Sequence, residues 1–317
     1  MNINNIYINN YKSLIDFEIV DPQPFTVFFG SNASGKSNLF EAMEFVHRLL
    51  KYGSKLVRDN YSFSEIFPFR SQLKSDKIDI EIKADVGLIS IEWDKSENLI
   101  LKTEGNVEQL FENNFTRLFI GKENLVKHPY TKKEFFLNLF AGNLENVLDR
   151  LLRDPLIEQE LMEWLQHLIP EFKDVKVKID NQDREKKLLV YEEYSNKPFP
   201  KNLISDGTYN ILCLLTAVYQ SDSPQVLFVE EPENGLNPKV IKELVDFCRE
   251  ISVDKGHHIW LNTHSQSLVS KVKTSEGILV DKKQGITKVK QFKDKELFDL
   301  TMDEAWLSNV LGGGTPW

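Results

Sequence analysis

Residues 30 to 37 read Gly-Ser-Asn-Ala-Ser-Gly-Lys-Ser, with PFTVFFG ahead of them and NLFEAMEFVHRLL behind. The match to G-x-x-x-x-G-K-[ST] is complete, and it commits this stretch to a strand, a tight loop and a helix start. The run before the loop is short, β-branched and aromatic, as a buried strand should be. The run after it sets Leu39, Met43, Val46 and Leu50 on one helical face. Gly30 and Gly35 allow a tight backbone. The N–H groups along Ser31, Asn32, Ala33, Ser34 and Asn38 then turn inward beside the positive end of a helix, which suits phosphate. Lys36 reaches terminal phosphates, and the Ser37 hydroxyl is a ligand for Mg²⁺. ATP with Mg²⁺ is the expected occupant.

Bulk properties narrow the setting. The chain has 317 residues, 41% hydrophobic and 27% charged, values ordinary for a packed globular protein. No apolar run reaches 18 residues, so no membrane partner is expected. The N-terminal MNINNIYINNYKSLIDFEIV alternates apolar and polar residues and predicts a first strand rather than a leader peptide. Cys213 and Cys248 lie in apolar helical stretches and read as buried thiols of a reducing cytoplasm. A net charge of −9 argues against a broad basic surface wrapped on DNA, leaving room for a local groove.

A second constellation follows far downstream. In VLFVEEPENGLNP, Val226 to Val229 suit a central parallel strand with two carboxylates at its C-terminal end, where α/β sheets bind ligands. Glu230 falls where Mg²⁺ is held through its water shell, and Glu231 where an attacking water is oriented and deprotonated. HHIWLNTHSQSLV predicts a strand over 258–262 and a helix from about Ser265, with His264 at the switch, placed to sense the γ-phosphate. His257 and His258 read as strand-edge residues, not metal ligands. In LISDGTYNILCLLTAVY, Ser205 is an N-cap, Asp206 suits the first turn and Gly207 opens the backbone, making a second anion-binding helix start.

These segments, with INNYKSLIDFEI at the start, occur in the order found in ABC-type ATPase heads and resemble those of SMC, RecF-like and OLD-family proteins. SDGT in place of SGGQ looks most like the OLD-related branch and the stand-alone ATPases of phage-defence operons. The resemblance implies an α/β P-loop NTPase of ABC-ATPase head type. Such a head has a mostly parallel central sheet, an antiparallel β subdomain and a helical lid insertion. It implies a dimer of two copies around two ATP molecules, with Ser205 and Gly207 contacting the γ-phosphate in trans. Gly235 to Asn237 would be the D-loop crossing the interface, and Lys12 and Ser13 would approach the nucleotide. Three departures point to slow or partner-dependent hydrolysis: Glu230 for the usual Asp, Asp206 for a glycine, and no firm Q-loop glutamine. Gln72 is the candidate for that last role as a magnesium ligand.

The expected core comprises 1–50 and 200–290, the insertion 51–199 and the tail 291–317. Within the insertion, alternating segments predict an antiparallel sheet, ENVLDRLLRDPLIEQELMEWLQHLIPEF predicts helices broken at Pro155, and VKVKIDNQDREKKLLVYEEY predicts a hairpin. Lys122, Lys127, Lys132 and Lys133 read as a solvated face. The stretch after 285 leaves no space for the nuclease domain of OLD proteins, so the effector is expected in another polypeptide, a nuclease or toxin. Gly312 to Gly314 read as a frayed end, or Trp306, Leu307, Val310 and Leu311 as residues that dock in a partner groove. The alternative to an effector switch is a RecF-like, ATP-gated DNA-binding protein of repair.

Overall fold

The computed structural model describes residues 2–68, 75–120, 135–181, 184–293, 295–297 and 299–311. The chain opens with β1 (Ile3–Asn9), β2 (Phe17–Val20) and β3 (Phe25–Phe29), then α1 (Lys36–Asn60), which is broken at Gly53, and the short α2 (Phe63–Ile66). Strands β4 (Lys77–Ala84), β5 (Gly87–Asp94) and β6 (Leu99–Gly105) lead to α3 (Val107–Asn113) and β7 (Phe115–Phe119). Two helices follow, α4 (Leu144–Leu151) and α5 (Pro155–Leu168), then β8 (Phe172–Ile179), β9 (Lys186–Glu192) and β10 (Phe199–Pro200). The last part runs α6 (Asp206–Tyr219), β11 (Val226–Glu230), α7 (Pro238–Asp254), β12 (His258–Thr263), α8 (Gln266–Val269), β13 (Gly277–Lys283), β14 (Ile286–Gln291) and α9 (Met302–Leu307).

Among the described residues six strands form the central sheet in the order β14-β13-β3-β12-β11-β7, with every neighbouring pair parallel except β13 with β14. Its central strands bury both faces, which is why they read as unbroken apolar runs. In β11, Leu227 and Val229 enter one core while Val226 and Phe228 enter the other. The first core holds α4 to α7; the second holds α1, α3 and the antiparallel sheet β2-β1-β4-β5-β6. An aromatic layer joins α1 to the central sheet: Phe40 lies 4.6 Å from Phe228, which stacks on Trp260 at 5.0 Å. A third, three-stranded sheet, β10-β9-β8, leans on α4 and α5. The fold is α/β, with a mostly parallel central sheet and antiparallel subdomain sheets.

Local signals explain the helix starts. Asp154 caps α5 through Leu156 N at 3.0 Å, with Pro155 as its first residue, so the chain breaks where that proline stands. Asn237 caps α7 ahead of Pro238 in the same way. His257 and His258 stand at the start of β12, as expected, and both are buried there. One expectation needs correcting. Trp306 and Leu311 are buried within this chain, the Trp306 ring 5.4 Å from Phe29, so they are committed to the core rather than to a partner groove, while Leu307 and Val310 are exposed. Residues 115–119, inside the expected insertion, form the edge strand of the central sheet. Among the described residues no helix is long and apolar enough to cross a membrane.

Candidate active site

Parallel registry brings three strand ends together. Glu230 pairs with Asn262 across β11 and β12, and Thr263 pairs with Phe29 across β12 and β3. The loop leaving β3, the acids leaving β11 and His264 leaving β12 therefore share one edge of the sheet.

The glycine loop folds around its lysine. Lys36 Nζ donates to the carbonyls of Gly30 at 3.0 Å and Ser31 at 2.9 Å, with Ser34 Oγ at 3.4 Å. Burial lowers the Lys36 pKa, opposed by Glu231, Glu233 and Glu230. Asn32 and Ala33 form the exposed crown of the loop, Ala33 with a left-handed backbone at φ 60°. Gly35 starts α1 at φ 103°, and a methyl group there would run into Thr287 Oγ1 and Ser13 Oγ. Those hydroxyls brace the loop from behind: they lie 2.6 Å apart, Thr287 Oγ1 donates to Ser34 O at 2.9 Å, and Asn38 Nδ2 donates to Ser13 Oγ at 2.7 Å. Ser13 thus supports the loop, while Lys12 is tied to Glu41.

Beside the loop, Ser37 Oγ donates to Glu230 Oε2 at 2.6 Å, and Asn262 Nδ2 lies 3.3 Å from the same oxygen. Glu230 Oε1 takes two bonds from Arg117, at 2.8 and 2.5 Å. Two buried oxygens nearby, Asn262 Oδ1 and Glu233 Oε2, have no hydrogen-bond partner among the described residues. Hard oxygen donors from Ser37 and Glu230 side by side, with an orphaned amide oxygen at Asn262, fit a hydrated Mg²⁺. Gln72 lies outside the described residues.

Glu231 follows directly, with a left-handed backbone at φ 49°. Its N–H donates to Asn262 O at 2.8 Å and its Oε2 accepts from Asn234 Nδ2 at 3.1 Å. His264 Nδ1 stands 3.7 Å from Glu231 Oε1 and 4.0 Å from Glu233 Oε1. Glu233 is buried and also accepts from Thr263 Oγ1 at 2.5 Å, so it fixes the β12 exit that carries His264. A carboxylate beside an imidazole at the sheet edge can orient and deprotonate a water.

The second helix start has different neighbours. Ser205 caps α6 through Thr208 N at 3.0 Å, and Ser205 and Asp206 are exposed. Gly207 lies against the segment that follows β11: a methyl group there would sit 2.5 Å from Gly235 O. Asn210 Nδ2 bonds Asn234 O, so α6 and this segment form one unit. Lys122, Lys127, Lys132, Lys133 and Gly312 to Gly314 lie outside the described residues.

Residues 1–139 match the family described as AAA ATPase domain. Residues 124–270 match the family described as AAA domain, putative AbiEii toxin, Type IV TA system. The chain carries AAA ATPase domains. Its fold is that of SMC and RecF heads. The Smc head domain of Pyrococcus furiosus, solved with an extended coiled coil and the C-terminal domain of ScpA, superposes with a TM-score of 0.62 at 14% identity; 98% of this chain and 100% of that one are covered. The recombination mediator RecF gives 0.51 at 13% identity over 90% of this chain and 97% of that one. The energy-coupling factor transporter ATP-binding protein EcfA1 of Methanospirillum hungatei is 41% identical over 49 residues, 16% of this chain and 18% of that protein's length.

Reading the sequence of this AAA ATPase chain missed Arg117, Asn262, Glu233 and Thr287. Arg117 had a signal, a lone charge inside the apolar FTRLF run. Asn262 and Glu233 lie inside quoted segments, each two residues from a residue already singled out, His264 and Glu231. Thr287 had none, being 253 residues from Ser34.

Proposed function

We propose that the chain is an ATP-binding and ATP-hydrolysing switch that closes as a dimer around two ATP molecules and regulates a separate effector in an anti-phage defence system. The observation that carries this reading is the convergence of Lys36, Ser37, Glu230, Glu231 and His264 at the ends of β3, β11 and β12. In it, Gly30 to Asn38 cradle the phosphates, Ser37 and Glu230 hold Mg²⁺, and Glu231 with His264 handles the water proton. The exposed Ser205–Asp206 start of α6, docked in cis on Gly235, supports its use by a second copy. Closure and release would then follow differential binding of ATP by the two arrangements. The match of residues 124–270 to a family described in toxin–antitoxin terms supports a paired protein component. Residues 51–199, apart from β7, would serve as lid and partner platform.

Steady-state ATPase activity is expected to vanish in Lys36→Ala, while Glu231→Gln accumulates an ATP-bound dimer in size-exclusion light scattering. A Glu231→Gln protein that hydrolyses ATP like the wild type would overturn the assignment of the base. Pull-down of tagged Glu231→Gln from its native cell with ATP present is expected to recover a protein partner; recovery of none sinks the effector role.

A RecF-like role has one specific support: Lys282, Lys283 and Lys288 are exposed on the β13–β14 hairpin that carries Thr287 to the phosphate loop. Duplex binding that requires ATP and weakens steeply with salt would favour it.

A further inference from the structure

The cation side of the site contains an arginine that phosphate-loop chemistry does not call for. Arg117 stands at the centre of β7, its side chain 11% exposed, on the face turned toward α1. Nε and Nη2 both donate to Glu230 Oε1, while Nη1 donates to Glu44 Oε2 at 2.7 Å. Glu44 is held in turn by Arg48, at 2.9 and 2.6 Å to its other oxygen. With both ends of its fork engaged, the guanidinium has one orientation. The two oxygens of Glu230 are consequently divided: Oε1 belongs to Arg117, and Oε2 faces Ser37 and Asn262.

A glutamate has one more methylene than an aspartate, and hence one more torsion to fix. Left alone, it could turn either oxygen toward a cation or swing away. A planar, doubly bonded guanidinium removes that freedom with charge-assisted bonds. We propose that Arg117 is a positioning residue for magnesium: it pins Glu230 by one oxygen so that the other, beside Ser37, faces the cation. The proposal rests on the nucleotide reading of the site.

The test is a MgCl₂ titration of fluorescent, non-hydrolysable ATP-analogue binding, with analogue binding in EDTA and the thermal midpoint measured in parallel. Arg117→Lys keeps the charge and loses the fork. Arg117→Met with Glu44→Gln removes the guanidinium together with one buried carboxylate it satisfies. Both are expected to raise the Mg²⁺ concentration for half-saturation by roughly tenfold to a hundredfold, with binding in EDTA unchanged. In a Glu230→Asp background, whose shorter side chain draws back from Arg117, Arg117→Lys should add little. Arg117→Lys decides the matter if the double variant does not fold. An unaltered Mg²⁺ requirement overturns the proposal, and so does an equal loss of binding in EDTA, which would mark Arg117 as merely structural. A wild type that binds nucleotide while its Arg117 variants behave normally sinks only this role. A wild type whose binding Lys36→Ala does not change sinks the nucleotide reading and this proposal together.

Discussion

Glu231 carries its carboxylate on a backbone conformation, φ 49°, that a non-glycine residue enters at a cost of about 1 kcal/mol or more. The ladder bond to Asn262 O and the side-chain bond from Asn234 hold it there. Asparagine tolerates the left-handed region better than glutamate. Glu231→Asn is therefore expected to abolish hydrolysis while leaving the thermal midpoint unchanged or higher; a drop of several degrees would show the backbone to be unstrained. Thr287 is the complementary case, a residue whose hydroxyl supports the loop without touching its face. Thr287→Val leaves buried Ser34 O and Ser13 Oγ short of a partner, so about 1–3 kcal/mol of stability should be lost along with nucleotide affinity. Thr287→Ser should restore both in denaturant titrations and binding assays. That Lys36, Ser37, Glu230 and Glu231 would meet at one edge of the sheet was legible, because each follows a short strand-like run in the sequence. Thr287 was not, since nothing in ITKVKQF reveals which loop it will meet across the sheet.

Among the elements, the capped helix α6 and the strand–acid unit at β11 were plain from apolar runs bounded by Ser205 and by the paired glutamates. Strand β7 was harder to place. Its residues alternate between the two cores, with Arg117 on the α1 side, where its neighbour Phe115 is apolar and buried. Pairing is also non-local: β7 joins β11, more than a hundred residues away, and β1 pairs with β4 rather than with β3. A period of two gives the faces of a strand but not its neighbours. The close approach of α6 to the segment after β11 yields a prediction that belongs to this scale. A methyl at Gly207 meets a backbone carbonyl, not a side chain that could swing aside, so Gly207→Ala must shift Gly235 or the helix start. The phosphate loop is untouched by that shift. Gly207→Ala is expected to keep nucleotide binding by the monomer and lose ATP-dependent self-association. Light scattering on the Glu231→Gln background measures the second, and intact ATP-dependent dimers there would disconnect α6 from closure.

At the scale of the whole molecule, the central sheet separates two cores, and a neutral histidine is set into each side. His47 on α1 has its pKa lowered to about 4 by burial, against the pull of Phe111 O, to which its Nδ1 bonds at 2.6 Å. His257, ahead of β12 and fully buried, is lowered to about 4 by burial as well, countered in part by the Val218 backbone. In the unfolded chain both protonate near pH 6.5, so below that pH the unfolded state binds protons that the folded state refuses. Their contribution is fully present above about pH 6.5 and is lost as pH falls toward 4, each site adding at most about 1.4 kcal/mol per pH unit to the slope. Glu44 acts at the acid end of the same range: burial raises its pKa, but Arg48 and Arg117 outweigh that and hold it below the ordinary value. Stability should therefore decline steadily from pH 6.5 and steepen below about pH 4.5. Urea midpoints at pH 7, 5.5 and 4.5 measure the decline. His257→Phe and His47→Phe, each removing one titrating ring from one core, should each flatten it, and their effects should add because the sheet lies between them. If both variants keep the wild-type slope, the acid sensitivity lies outside the two histidines, with Glu44 the next group to replace.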